Sequence, residues 1–261
     1  MTTRCSDIRE TILSLRQHVL RFGLLLAMLL VLSTGSMAQK KGRLVRPRSR
    51  VVDKIEHFDR ISIGKNINVV IEQGDKQQIA IVAEPTVNKE VVCEVNSGRL
   101  YVYAGKFKYK QSPRIDVTIT CDSTLQEIHG ESGSNINSRG LLKAQSMLLN
   151  ADFAIEMHIS ISANDVTINA HKKSVIWLTG RTNQTTANLD GASFLRMKQT
   201  KSNHTNITAT QESAAEVCAE QSLNIVAADM SEVSYYAPNA VVSSKTEDGG
   251  RVMERKLYKN L

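Results

Sequence analysis

The C-terminal half of the chain repeats at an interval of about nineteen residues, and this period restricts the folds available to it. Apolar residues follow small or polar turns at Ile136, Ile155, Val175, Phe194, Val217 and Val233. Successive members are 19, 20, 19, 23 and 16 positions apart, and the last two spacings become 21 and 18 if Ala215 replaces Val217. A propeller blade needs about 40 residues, and the leucine-rich signature L-x-x-L-x-L-x-x-N is missing. The repeat therefore predicts the coils of a β-solenoid.

Within each coil, apolar side chains at alternate positions are expected to point inward and to stack on neighbouring coils, so that stability is a nearest-neighbour sum. We expect Ile136 to begin this inward column. Because burial of one aliphatic side chain contributes ~1.5 to 3 kcal/mol, Asp at Ile155 or Val175 should unfold local coils. Asn150, Asn169 and Asn188 recur with the period of the coils and predict a ladder of hydrogen-bonded side chains. Asn206 and Asn224 fall outside that register.

The N-terminal half alternates with a period of two. Apolar residues occupy every second position in FDRISI, INVVIEQ, QIAIVA, EVVCEV, RLYVYA and RIDVTIT, and turn sequences separate these runs. The segment EPTVNKEVV predicts at most one helical turn, because β-branched residues disfavour more. The predicted fold is all-β, a right-handed parallel β-helix or β-solenoid with a β-rich N-terminal portion continuous with the coils.

The N-terminal segment 1–38 has the order of a secretory signal peptide. Four arginines precede the apolar run FGLLLAMLLVL at 22–32, and the small residues STGSMA follow. We predict cleavage between Ala38 and Gln39. Eleven apolar residues are too few to cross ~30 Å of hydrocarbon, which needs about twenty, so the mature chain is not expected to span a membrane. An uncleaved signal anchor or a buried amphipathic helix is the alternative.

Positive charge is concentrated just after this segment. The formal net charge is +7, and residues 39–54, QKKGRLVRPRSRVVDK, hold seven basic residues and one acid. Residues 55–261 hold 22 basic and 23 acidic residues. We interpret residues 39–54 as a basic linker, either solvated or in contact with anionic envelope lipid or polysaccharide. A neutral folded region, together with export, disfavours nucleic acid as a partner.

Cysteine does not define a disulfide framework. Cys93, Cys121 and Cys218 are far apart and odd in number, and each lies in an apolar alternating run. At most one bridge can form among them. We interpret all three as small buried hydrophobic residues.

Several motifs together resemble a known family. These are FDRISIGKNINVVIEQGDKQQIAIVAE, NSGRLYVYA, IDVTIT, LQEIHGESGSNI, the degenerate repeats and SSKTEDGGRV. In this order they resemble the putative auto-transporter adhesin head domain, called the GIN domain, over roughly residues 56–253. The resemblance implies an exported protein of Bacteroidetes-like envelopes with a β-solenoid fold and no established activity. Turns that usually contain Gly-Ser here read NADFA, AHKKS and TQESA, a departure from the family pattern.

This resemblance sets the domain organisation. We predict a GIN-type β-solenoid domain at residues 55–253 and a C-terminal tail at 254–261. The expected location is periplasmic, outer-membrane associated or on the cell surface.

A search for catalytic chemistry returns little. Asp152, Asp190 and Asp229 lie three or four residues before the apolar residue that follows each turn, but Lys172 interrupts any column, and solvated turn acids are the simpler interpretation. His57, His129, His158, His171 and His204 lack metal-ligand spacing, and HExxH, CxxC and GxSxG motifs are missing. We expect no catalytic, cofactor-binding or metal-binding residues and no cofactor.

Aromatic residues are the candidate ligand contacts. Trp177, Tyr235 and Tyr236 could stack on a sugar ring, because each combines an apolar face with a polar edge. They could also be core or cap residues. We predict a non-enzymatic envelope protein that serves as an adhesion, glycan-contact or scaffold module. Its expected partners are envelope or host glycans or another envelope protein. A β-helical polysaccharide lyase or hydrolase and a periplasmic sensing or assembly partner are the alternatives.

Overall fold

A computed structural model describes residues 46–105 and 113–255 of the 261-residue chain. Strands hold 63% of these residues. The single helix among them is α1, Pro85–Glu90, the one turn that the sequence predicted. The strands are β1 (Arg48–Val52), β2 (Arg60–Ile63), β3 (Asn68–Gln73), β4 (Gln78–Ala83), β5 (Val91–Asn96), β6 (Arg99–Ala104), β7 (Ile115–Cys121), β8 (Glu127–Gly130), β9 (Asn135–Ser138), β10 (Leu142–Ala151), β11 (Glu156–Ala170), β12 (Val175–Leu189), β13 (Phe194–Arg196), β14 (Thr200–Ala209), β15 (Ala214–Cys218), β16 (Ser222–Ala227), β17 (Glu232–Tyr236), β18 (Val241–Thr246) and β19 (Arg251–Glu254).

The strands build a β-solenoid of about 7 turns with coils of about 19 residues, so the predicted fold class is confirmed. Its first face runs in the order β5, β6, β2, β8, β10, β11, β12, β14, β16 and β18. Its second face runs β1, β4, β7, β3, β9, β11, β12, β13, β15, β17 and β19. Within the coils all pairing is parallel.

A narrower third face connects the other two in the middle coils. It consists of residues 142–144, 161–163, 180–182 and 200–202, paired in parallel. Strands β11 and β12 are 15 residues long because each continues from the second face across the third to the first. At the corner of β12, Gly180 has φ 116°, and a Cβ there would lie 2.0 Å from the Ile161 carbonyl oxygen. Glycine is required at this corner.

The inward column of the second face differs from the predicted one. The buried residues in register are Ile136, Met157, Ile176, Leu195, Ala215, Val233 and, half-buried at the end, Val252. The column continues beyond Ile136 to the buried Val69 and Val117, so Ile136 does not begin it, whereas Ala215 is the correct fifth member. Val175 and Phe194 are half-buried and point outward, so the prediction was wrong by one residue in these two coils. Ile155 is buried, as predicted, but lies two positions before the column member Met157.

Two polar ladders run along the axis. As predicted, Asn169 donates to Asn150 at 2.8 Å and Asn188 donates to Asn169 at 3.0 Å. Asn206 and Asn224 form their own pair in the neighbouring column, which confirms that they leave that register.

A second, buried ladder links the serines that follow each turn. The hydroxyl oxygen of one serine accepts a hydrogen bond from the backbone N–H of the preceding coil. The acceptors are Ser174, Ser193, Ser213 and Ser231, at 3.1 to 3.3 Å.

The turns before these four serines, and the turn before β19, each place two consecutive residues in the left-handed region of φ. The pairs are 172–173, 191–192, 211–212, 229–230 and 248–249. Only Gly191 and Gly249 are glycines among these ten residues. In the Gly-Ser turn at 131–134 only Gly133 has a positive φ, so the turns AHKKS and TQESA differ from it in backbone as well as in sequence. Left-handed φ costs an L-residue roughly 1 kcal/mol or more.

Antiparallel strands cover the N-terminal end of the solenoid. The hairpin of β5 and β6 borders the first face, while β4 and β1 border the second. Strand β1 lies within residues 39–54, which the sequence suggested to be a linker. The buried Asn88 side chain holds it by donating to the carbonyl oxygens of Arg48 (2.8 Å) and Ile81 (3.3 Å).

The predicted signal peptide and its cleavage site between Ala38 and Gln39 lie outside the described residues, as does most of the C-terminal tail. Within 46–105 and 113–255, no helix has the length and apolar character needed to cross a membrane.

Candidate functional site

Trp177 lies on the outer side of the second face. Its neighbours Ile176 and Leu178 are buried, so the indole is directed outward and is half-buried. The His158 ring, one coil earlier, stacks on it with ring centroids 3.8 Å apart and an interplanar angle of 30°. His158 is fixed in turn by Glu156, 2.9 Å from Nε2. One face of the indole is therefore already covered by a protein ring.

Tyr235 and Tyr236 end β17 and point in opposite directions. Tyr235 packs against the core, in register with the buried Val217, whereas Tyr236 is outward beside Cys218. Trp177 and Tyr236 are three coils apart, which at ~4.8 Å per strand separates them by roughly 14 Å or more. The structure thus does not bring these three aromatic residues together in one site.

The turn acids do not form one continuous column. Asp152 and Asp190 lie in the same column with His171 between them, and Asp190 is 2.7 Å from the Nδ1 atom of His171. Asp152 lies 3.1 Å from the Nε2 atom of His129. Asp229 lies one position beyond this column, and its own φ is in the left-handed region. Within the described part of the chain, no three His, Cys, Asp or Glu side chains are grouped to hold a metal ion.

The three predicted buried thiols are not bridged. Cys121 is fully buried, while Cys93 and Cys218 are partly buried. Burial raises the pKa of Cys93 to about 11 and that of Cys121 to about 12. Burial also raises the pKa of Cys218. These thiols are therefore poor nucleophiles at neutral pH.

A groove lies where the third face ends. Between β15 and β16 the chain turns through Ala219, Glu220 and Gln221 without adding a strand to that face, so residues 200–202 form its last strand. The recess left there has a volume of about 610 Å³. It is lined by Lys198, Gln199, Thr200, Lys201, Cys218, Ala219, Glu220, Gln221, Pro238 and Asn239. A depression of about 300 Å³ adjoins it along the third face and shares Lys201 and Glu220 with it.

Two stripes of outward side chains follow the third face. The basic stripe contains Lys143, Arg181 and Lys201, with Ser162 between the first two in register. The amide stripe lies two residues further along each strand and contains Asn164, Asn183 and Asn203. Asn203 donates to Asn183 at 3.0 Å, which aligns the amides along the axis.

Buried hydroxyl groups support both stripes from inside. Thr182, Thr200 and Ser202 are at most 2% exposed. The Thr182 hydroxyl contacts that of Thr185 at 2.8 Å, Ser202 donates to Thr185 at 3.2 Å, and Thr200 donates to the Leu178 carbonyl oxygen at 2.7 Å. These bonds fix the backbone from which the outer side chains project, so the surface is a rigid one.

Sequence reasoning missed this surface because its residues are 20 and 38 positions apart and become neighbours only through the coil register. The buried serines provided a usable signal. Ser174, Ser193, Ser213 and Ser231 recur with the period of the coils and would have aligned every coil they belong to.

The fold and the groove define a β-solenoid protein with an open groove on its surface. Residues 57–238 match the family model described as putative auto-transporter adhesin, head GIN domain. The chain belongs to this family, and the resemblance found in its motifs is confirmed. A search of curated proteins gave no match.

Solved structures share the fold at low sequence identity. A putative adhesin from Bacteroides fragilis is 13% identical, with a TM-score of 0.73 over 81% of this chain and 97% of that one. A putative adhesin from Parabacteroides distasonis is 14% identical, with a TM-score of 0.64 over 80% and 97%. A putative lipid binding protein from the same species is 17% identical, with a TM-score of 0.58 over 80% and 97%. At these identities the likeness establishes the fold alone.

Proposed function

We propose that this protein is an exported, non-enzymatic adhesion module that binds glycans on the side of its solenoid. The observation that carries the proposal is the groove at the end of the third face. It is open and about 610 Å³ in volume, and amide and ammonium groups dominate its polar lining. Such groups can bind the hydroxyl oxygens of a sugar chain from a surface whose backbone does not have to rearrange.

The carboxylates around the groove favour binding over hydrolysis. Glycoside hydrolysis generally requires two carboxyl groups flanking the scissile bond. Glu220 is the single carboxylate among the residues that line the groove and its adjoining depression. Membership in an adhesin-head family is consistent with this assignment.

The test is a glycan array probed with the full chain, combined with an assay for released products on every glycan that binds. We expect saturable binding of at least one glycan without chain cleavage. An Ile176→Asp variant, whose fold should be lost because Ile176 is fully buried, serves as the control for binding by unfolded protein. Product release, or binding retained by the unfolded control, would contradict the proposal.

A further inference from the structure

We propose that the third face binds an anionic linear polysaccharide that lies along the solenoid axis, with Arg181 and Lys201 holding its acidic groups. This inference rests on the proposed function and names the ligand class and the residues. The basic stripe and the parallel amide stripe carry it together.

The basic stripe contains an uncompensated pair of like charges. Arg181 and Lys201 are directly opposite each other on neighbouring strands, which lie ~4.8 Å apart. Like charges in this position destabilise a sheet. Neither side chain forms an ion pair with any residue in the described parts of the chain. A bound anion placed between them would relieve the repulsion.

Another pair of opposed cations shows how the same problem is solved without a ligand. Arg60 and Arg99 are also directly opposite each other on neighbouring strands. Arg99 is bound by Glu127 through two hydrogen bonds, at 3.0 and 2.6 Å, and Arg60 contacts Asp59 at 3.1 Å. Arg181 and Lys201 form no ion pair of this kind, and the single carboxylate that lines their depression, Glu220, leaves a net positive charge among these three side chains, as expected of a site that receives an anion.

The amide stripe indicates that the acidic groups belong to a sugar chain. Asn164 and Asn183 are exposed and Asn203 is half-exposed, one per coil, beside the basic stripe. A primary amide offers both donors and an acceptor and can bind adjacent hydroxyl groups. Amides therefore recur on three successive coils and cations on the last two of them, so a polymer with hydroxyl and acidic groups along its length can contact several coils at once.

The residues that line the groove and its adjoining depression distinguish this ligand from single-stranded nucleic acid. Nucleic acid grooves combine positive charge with aromatic side chains on which bases stack. None of the lining residues is aromatic. Binding of single-stranded nucleic acid is therefore measured as a result that would contradict the inference.

The test measures binding of a galacturonic acid hexasaccharide and of its methyl ester, which has the same backbone without the charges. A sulfated hexasaccharide distinguishes carboxylate from sulfate recognition. We expect the acid or the sulfated chain to bind the full protein about tenfold more tightly than the ester at low salt, and to weaken as salt rises. The Arg181→Gln/Lys201→Gln variant should bind the charged chain about tenfold more weakly than wild type.

The control is Lys172→Gln/Lys173→Gln, which removes the same charge at exposed turn residues outside the groove. It should bind the charged chain with an affinity within twofold of wild type.

Cys218, which lines the groove, gives a second measurement. The charged hexasaccharide should slow alkylation of Cys218 relative to Cys93, as measured by peptide mass spectrometry, in wild type and not in the Arg181/Lys201 variant.

Three results would overturn the inference: equal binding of acid and ester, equal loss in both double variants, or equally tight binding of single-stranded DNA of the same charge. If a neutral glycan from the array still binds the Arg181/Lys201 variant, the adhesion proposal stands and this inference fails. If no glycan binds the wild-type protein, both fail.

Discussion

At the scale of single residues, the Arg99–Glu127 pair provides a pH-dependent test of stability. Both side chains are mostly buried, at 19% and 13% exposure, and two hydrogen bonds join them. The hydrogen bonds from Arg99 hold the pKa of Glu127 below its ordinary value of 4.5. A lowered folded-state pKa contributes stability that is present above the unfolded value and is lost as pH falls through the folded value.

We therefore expect Glu127→Gln to reduce the free energy of unfolding at pH 7 by about 1 to 3 kcal/mol, since a charge-assisted pair is replaced. The deficit should shrink below pH 4.5, because the carboxyl group then becomes protonated in the unfolded chain before it does in the folded protein, which reduces the stability of the wild type. Urea unfolding at pH 7 and at pH 3 measures both values. A deficit of the same size at both would show that the charge of Glu127 is not the cause.

Lys173 illustrates the strain in the left-handed turns. Its φ is 67°, it is exposed, and its backbone N–H donates to Gly191 at 2.8 Å, a bond that glycine would keep. We expect Lys173→Gly to raise the free energy of unfolding by about 0.5 to 1 kcal/mol, the relief of strain minus the added chain entropy. Lys76→Gly, at an exposed residue outside the left-handed set, should lower it by a similar amount. Thermal unfolding of both variants shows whether each substitution raises or lowers the free energy of unfolding.

At the scale of the strand, β12 contains two adjacent apolar residues that differ in burial, which the sequence alone could not show. Ile176 is fully buried, whereas Val175 is half-buried on the outer side. We expect Ile176→Asp to unfold the surrounding coils, because it places a charge in the core. Val175→Asp should change stability by less than about 1 kcal/mol. Circular dichroism and limited proteolysis compare the two variants, and equal damage would contradict the observed register.

The sequence predicted the repeat and the asparagine ladder but placed the inward column wrongly in two coils. The reason is local. In KKSVIWL and GASFLRM, apolar residues occupy two adjacent positions, so alternation alone fits either face. The serine before them resolves the ambiguity, because its hydroxyl group must point inward to bond the coil below. The proposed binding surface was harder still to predict, since opposed charges on neighbouring strands can be recognised only after the coils are aligned.

The buried serine ladder predicts a further loss of stability. Ser193 is 1% exposed, and its hydroxyl oxygen accepts from the backbone N–H of Ser174 at 3.2 Å. In Ser193→Ala that N–H would remain buried without an acceptor, which costs about 1 to 3 kcal/mol. Ser146→Ala, at an exposed strand residue, should have little effect. Chemical unfolding of both variants tests the assignment, and a neutral Ser193→Ala would refute it.

At the scale of the whole molecule, the two ends of the described solenoid are finished differently. The N-terminal end is covered by antiparallel strands, while the last strand of the first face, β18, pairs with β16 alone within the described residues. Its inward positions change to polar residues, with Ser244 opposite Ile225 and Thr246 opposite Ala227. Polar terminal repeats keep solenoids from joining end to end.

We expect Ser244→Ile/Thr246→Val to make the protein self-associate, because these changes extend the apolar stack onto an open strand edge. Size-exclusion chromatography coupled to light scattering measures the effect. Ser243→Ile/Lys245→Val on the outer side of the same strand is the matched control, and we expect it to remain at the wild-type mass. Equal behaviour of the two variants would show that the inward residues do not protect this end.

The buried serine ladder also bears on how such a protein can change length during evolution. Each serine bonds only to the coil beside it, so a duplicated segment such as residues 174–192 would find a serine partner on both sides. A single inserted residue within a strand would instead exchange inward and outward side chains. Gene duplication in whole coils is therefore the permitted mode of growth. Because the third face ends where one coil is shortened, coils added before that point would lengthen the polar stripes without altering the groove.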